Sequence, residues 1–135
     1  MLPNPSAVWD LYLTIIDPLP LLETTGLRLR AWLEKHLMLN LEKNFRCMNP
    51  GRLLPVWLKE AGFSCQATVI EFWAVEQEEG THAELNAVIG KMLWKEMWGS
   101  FLECEEWWWD NEAVMEECDE METRWECFLV EAMKV

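Results

Sequence analysis

The sequence predicts a small α/β domain, because three runs rich in β-branched and aromatic residues are separated by pairs of helical patterns with turn residues between them. Length supports a single unit. A chain of 135 residues buries about two-thirds of the surface that its unfolded form exposes, enough for one core and too little for two. Composition supports a folded chain, since 51% of the residues are hydrophobic and ten are Trp, far from the profile of disorder.

The elements follow in order. From Val8 to Ile16 the chain reads V-W-D-L-Y-L-T-I-I and stops at Asp17-Pro18-Leu19-Pro20, which predicts a mostly buried, central strand. Thr24 or Thr25 can cap a helix in which Leu29, Leu33, Leu37 and Leu41 recur every four residues, ending near Phe45. Asn49-Pro50-Gly51-Arg52 reads as a turn. Pro55 then opens a short helix through Glu60, closed by Gly62 as its left-handed cap. Ala67 to Val75 is the second strand, followed by the polar stretch from Glu76 to Gly80, read as a solvated loop. Thr81-His82-Ala83-Glu84 has the form of a capping box and starts a helix to about Leu102, and Asp110 can cap another to about Met121. From Arg124 to Lys134 the pattern predicts a third strand, with a helix as the alternative because Glu, Ala, Met and Lys near the end favour one.

Charge narrows the partners. Residues 1–75 hold seven acids and seven Lys or Arg, whereas residues 76–135 hold seventeen acids and four, so the net charge of −13 resides in the second half. Nucleic acids and anionic membranes, which both select cations, are excluded on this ground. The five cysteines form no C-x-x-C pair, which argues against a disulfide framework or a zinc site and for reduced thiols. The start MLPNPSAVW lacks a basic and an apolar signal region, and no run approaches the ~18 apolar residues of a membrane span, so the expectation is a cytoplasmic protein.

Several stretches carry a resemblance. Ile16-Asp17-Pro18, Leu29-Arg30-Ala31-Trp32-Leu33-Glu34, the run from Asn40 to Cys47, the run from Asn49 to Leu58, the run from Met92 to Phe101, Trp107-Trp108-Trp109 and Trp125-Glu126 resemble the C-terminal half of fungal class I, seven-strand S-adenosylmethionine-dependent methyltransferases of secondary metabolism. The resemblance covers nearly the whole chain. It implies that the three strands stand for strands five, six and seven of that family, in a small mixed sheet of order five, seven, six, with seven antiparallel, and about four helices. It also implies that residues 1–135 form one methyltransferase-like C-terminal domain without the cofactor-binding half. The six glycines agree, because none lies within four residues of another and no G-x-G turn exists to cradle a nucleotide. No cofactor is therefore expected. Under the resemblance the strand from Val8 to Ile16 is an open edge, expected to associate with a second copy or with another chain.

Candidate site residues follow from the rule that ligands in open α/β sheets bind beyond the carboxyl ends of strands. Asp17 lies there as a candidate general base, or as an ordinary turn starter before Pro18. His36 has the right titration range for proton transfer, or is a boundary histidine beside the leucine stripe. Trp107, Trp108 and Trp109 cannot all face one core, so one can line a pocket, or two are core and one a cover; Tyr12 joins them as a substrate contact. The acids at 103, 105, 106, 116, 117, 120 and 122 lack the order of a calcium loop and read as a solvated face, with no metal. The expected activity is cofactor-free cyclase or isomerase chemistry, or binding, on a hydrophobic small molecule. The alternatives are a non-catalytic accessory subunit, or a fragment, that completes the sheet of an S-adenosylmethionine-dependent methyltransferase.

Overall fold

A computed structural model describes residues 9–44, 47–76, 85–102 and 104–134. The expected capping box at residues 81–84, with His82, lies outside them, as do Val8, Phe45 and the loop at 77–80. Strands β1 (Trp9–Ile16), β2 (Phe63–Trp73) and β3 (Arg124–Lys134) form one sheet. Helices α1 (Leu27–Leu33) and α2 (Leu39–Asn44) are joined by a π turn (Glu34–Met38) into one continuous body, and α3 (Pro50–Glu60), α4 (Ala87–Trp98) and α5 (Glu112–Met121) complete four helical bodies. The fold class is α/β, as the sequence predicts.

The sheet order is β1-β3-β2, with β3 antiparallel to both neighbours. Both strand pairings of the sheet are thus antiparallel. The order and the antiparallel last strand are as expected, and only the expected mixed character is corrected, for β1 and β2 run parallel to each other but never pair. β1 is also not central: it is an edge strand, and Tyr12 is 70% exposed. β2 starts at Phe63 rather than Ala67, since the eleven-residue β3 offers partners along its whole length. α3 starts at Pro50, and Pro55 lies inside it; Pro50 at the first helical positions has no N–H to leave unpaired. Gly62 does close α3, at φ 94°.

The two sheet faces are covered differently. On one face α3 packs over Phe128, and Gly51 makes this possible: a Cβ there would stand 2.3 Å from the Phe128 ring. On the other face α4 covers only the end that carries Phe72, Trp125, Cys127 and Ile16, leaving Tyr12, Thr14, Gln66, Thr68 and Leu129 at the far end uncovered. Phe72, Trp125 and Trp108 form a continuous stack, with centroids 5.2 and 4.9 Å apart, and Trp94 meets both indoles edge-on. Leu29, Leu33, Leu37 and Leu41 are all buried. Side chains four apart drift about 40° per step around an α-helix; the wider π turn beneath Leu37 reverses part of that drift and keeps the stripe inward.

Candidate functional site

The segment from Ile16 to Pro18 leaves the sheet under an unusual number of restraints. The Trp98 indole N–H donates to the Ile16 carbonyl at 2.8 Å, and those of Trp94 and Trp125 both donate to the Pro18 carbonyl, at 2.9 and 3.3 Å. Three buried indoles thus fix the backbone on both sides of Asp17. Its side chain is 6% exposed, and its Oδ1 accepts the Gly51 N–H at 2.7 Å. That N–H belongs to the first turn of α3, where intrahelical partners are lacking.

The β1 to β3 register carries one step beyond the strand, because the Asp17 N–H donates to the Glu126 carbonyl. Asp17 therefore stands beside Glu126 on the α3 face, and Glu126 stands opposite Glu71 of β2. Three carboxyl groups form a row across three chain segments. Two guanidinium groups attend them: Arg52 of α3 pairs with Glu126, and Arg124 lies 2.8 Å from Glu71. Asp17 is the member of the row with an amide donor instead of a cation. Burial raises its pKa above the ordinary aspartate value, the Gly51 N–H opposes this, Glu126 adds to the rise and Arg52 offsets part.

Asp17, Arg52 and Glu126 border a hollow of about 320 Å³ at the carboxyl end of β1, with Leu19, Leu21, Leu22 and Met48 as an apolar wall. This is the lower end of the size of a small-molecule site, and Glu23 and Asn49 also line it, so its lining is mixed rather than predominantly apolar. A carboxyl group with a raised pKa is a stronger base when ionised and a proton donor closer to neutrality than an ordinary aspartate.

The other sequence-predicted residues fall elsewhere. His36 lies in the π turn and shares a second hollow, about 550 Å³, with Trp32, Cys104 and Glu106; its ring centroid is 4.8 Å from that of Trp32. Tyr12 lies in a shallow trough across the uncovered sheet end, its hydroxyl 3.4 Å from Glu131, whose charge chiefly raises the phenol pKa. Trp108 is fully buried in the ring stack, whereas Trp107 and Trp109 are half-buried and stacked on each other at 4.9 Å, with the Lys95 ammonium 4.8 Å from the Trp107 centroid. None of the three borders these hollows. Asp17, His36 and Tyr12 thus occupy three separate hollows. Sequence reasoning missed Arg52 and Glu126, because only strand register and the seating of α3 bring them to Asp17.

Two smaller readings also change. Glu117 is not merely part of a solvated face: its carboxylate accepts the Arg28 and Leu29 N–H groups at 2.9 and 3.0 Å and caps α1, the role expected of Thr24 or Thr25. Asn111, not Asp110, caps α5, and Asn86 with Glu76 caps α4. Burial pushes the Cys118 thiol up to about 11 and raises Cys104 and Cys127, which keeps these thiols protonated near neutrality. Among the described residues no group of three or more His, Cys, Asp or Glu is arranged to hold a metal ion, and no helix is long and apolar enough to cross a membrane. No protein-family model matches the chain, and neither a curated protein nor a solved structure matches it.

Proposed function

We propose that this chain is a methyltransferase-like protein of fungal secondary metabolism that acts without S-adenosylmethionine, binding a neutral, largely apolar small molecule beside Asp17 and moving a proton on it. The observation that carries this reading is the buried Asp17 carboxyl, with its raised pKa, at the wall of a hollow that presents Arg52 together with an apolar patch of Leu19, Leu21, Leu22 and Met48. The reaction is an isomerisation, or the proton-transfer step of a cyclisation. Ionised Asp17 takes a proton from a carbon next to a carbonyl; Arg52 faces the oxygen on which negative charge develops; the carboxylic acid then returns the same proton to another carbon. No atoms are gained or lost, so no cofactor is required.

The test uses a short alkyl β,γ-unsaturated ketone, whose conversion to the conjugated isomer is followed by ultraviolet absorbance. The wild-type chain is expected to accelerate the conversion, with S-adenosylmethionine making no difference. Asp17→Asn is expected to lose about 10²-fold or more of that acceleration. Absence of both acceleration and saturable binding of the ketone rejects the proposal. The open edge of β1 supports the second reading, an accessory subunit that completes a cofactor-binding partner's sheet; S-adenosylmethionine binding that arises only in a complex with a second chain is its signature.

A further inference from the structure

The free edge of β1 has a definite hydrogen-bonding parity. The Asp17 N–H bonds to β3, so along an antiparallel pair residues 15, 13 and 11 also direct their N–H and C=O groups inward, and residues 16, 14, 12 and 10 direct theirs outward. Ile16 confirms the parity. Its outward N–H meets the Met97 sulfur at 3.4 Å and its outward carbonyl accepts from Trp98, so α4 closes that end of the edge. The outward backbone groups of Asp10, Tyr12 and Thr14 have no partner among the described residues. Among the described residues an opening of five residues remains, 10–14.

We infer that this opening pairs with the same segment of a second copy, antiparallel about a two-fold axis at Tyr12. The segment reads Asp10-Leu11-Tyr12-Leu13-Thr14, which is symmetric about Tyr12 except at its ends. A two-fold interface requires such self-complementarity, since residue i meets j and j meets i. In this register Tyr12 faces Tyr12, Leu11 faces Leu13, and Asp10 faces Thr14, so no like charges stand opposite and a hydroxyl meets each carboxylate. Six backbone hydrogen bonds form between the outward groups of residues 10, 12 and 14. Leu11, now 39% exposed, gains an apolar neighbour, and two three-stranded sheets become one of six strands. A register that placed Asp10 against Asp10 would set two carboxylates together and form fewer bonds. This inference rests on the geometry of β1 and is independent of the chemistry at Asp17.

The experiment measures the solution mass of the full chain by light scattering and its register by cysteine cross-linking. A mass twice the 16.0 kDa of one chain is expected. Under mild oxidation Tyr12→Cys is expected to cross-link to itself, because directly paired residues lie within disulfide reach, whereas Thr14→Cys alone is not. Peptide mapping assigns the bond and sets aside the native thiols. Thr14→Asp places two carboxylate pairs across the axis and is expected to weaken the dimer about tenfold. Adding Asp10→Lys to that variant is expected to restore it. A monomer at every concentration, equal self-cross-linking of Thr14→Cys and Tyr12→Cys, or association only with a different chain overturns the inference.

Discussion

Asp17 shows how one residue can serve the fold and a site with opposite preferences. As an acceptor for the Gly51 N–H it holds the first turn of α3 against the sheet, and a neutral oxygen would also accept this bond, though more weakly. As a buried charge beside Glu126 it is disfavoured, which is why its pKa rises. The sign of the stability effect follows. Between the ordinary aspartate value and the raised folded value the native state binds the extra proton, so stability falls as pH rises through that window and levels off above it. Asp17→Asn keeps an oxygen for Gly51 and has no charge to desolvate. The variant is therefore expected to lose this part of the pH dependence and to match or exceed the parent in stability at neutral pH, as measured by urea unfolding at a series of pH values. A variant markedly weaker at neutral pH would mean that the carboxylate stabilises α3 more than its burial costs. Asp17 was legible in the sequence as the residue that ends a strand before proline. Its neighbours were not, since Arg52 and Glu126 lie 35 and 109 positions further along the chain.

At the level of elements, all three strands and the helical pattern were legible because each repeats apolar residues with its own period. The ends were less so, and the reasons differ. The start of β2, Phe63-Ser64-Cys65-Gln66, does alternate, but it lacks the β-branched and aromatic run that marks Ala67 onward, because the sheet face that carries Ser64 and Gln66 is uncovered and nothing there selects apolar residues. The start of α1 was misread because its cap is not local. Thr24 and Thr25 both donate their hydroxyls to the Leu21 carbonyl, closing a tight turn, and the capping oxygens come from Glu117 in α5, about 90 residues away. This long-range cap makes a sharp prediction. Glu117→Ala leaves two N–H groups at a helix N-terminus without a carboxylate, and is expected to cost about 1–2 kcal/mol in urea unfolding. Glu117→Gln, which retains one acceptor, is expected to recover roughly half of that. If both variants fall within a few tenths of a kcal/mol of the parent, solvent serves these groups equally well and the α1 to α5 link is dispensable.

For the whole molecule the decisive quantity is the imbalance of charge. The net charge is −13, and the four Lys or Arg residues among positions 76–135 are largely committed: Lys95 and Lys91 lie over the rings of Trp107 and Trp108, and Arg124 pairs with Glu71. Meanwhile Glu112, Glu116, Asp119, Glu120 and Glu122 crowd the exposed side of α5 and its end. Salt acts on this arrangement in two opposing ways. It weakens the ion pairs of Arg30 with Glu34, Arg52 with Glu126 and Arg124 with Glu71, each worth about 0–1 kcal/mol at a surface. It also screens repulsion among a much larger number of unbalanced acids, as the Debye length shortens from about 30 Å at 0.01 M to about 8 Å at 0.15 M. Three pairs among the described residues set against an excess of thirteen charges make repulsion the larger effect. The melting temperature is therefore expected to rise, by roughly 3–5 °C, between those two concentrations of sodium chloride at fixed protein concentration. A fall instead would mean that the Arg52 and Arg124 pairs across the carboxyl row outweigh the repulsion spread over the rest of the surface. Repeating the titration with Arg52→Gln then identifies the pair responsible, because the fall shrinks only if the bond to Glu126 is the one being screened.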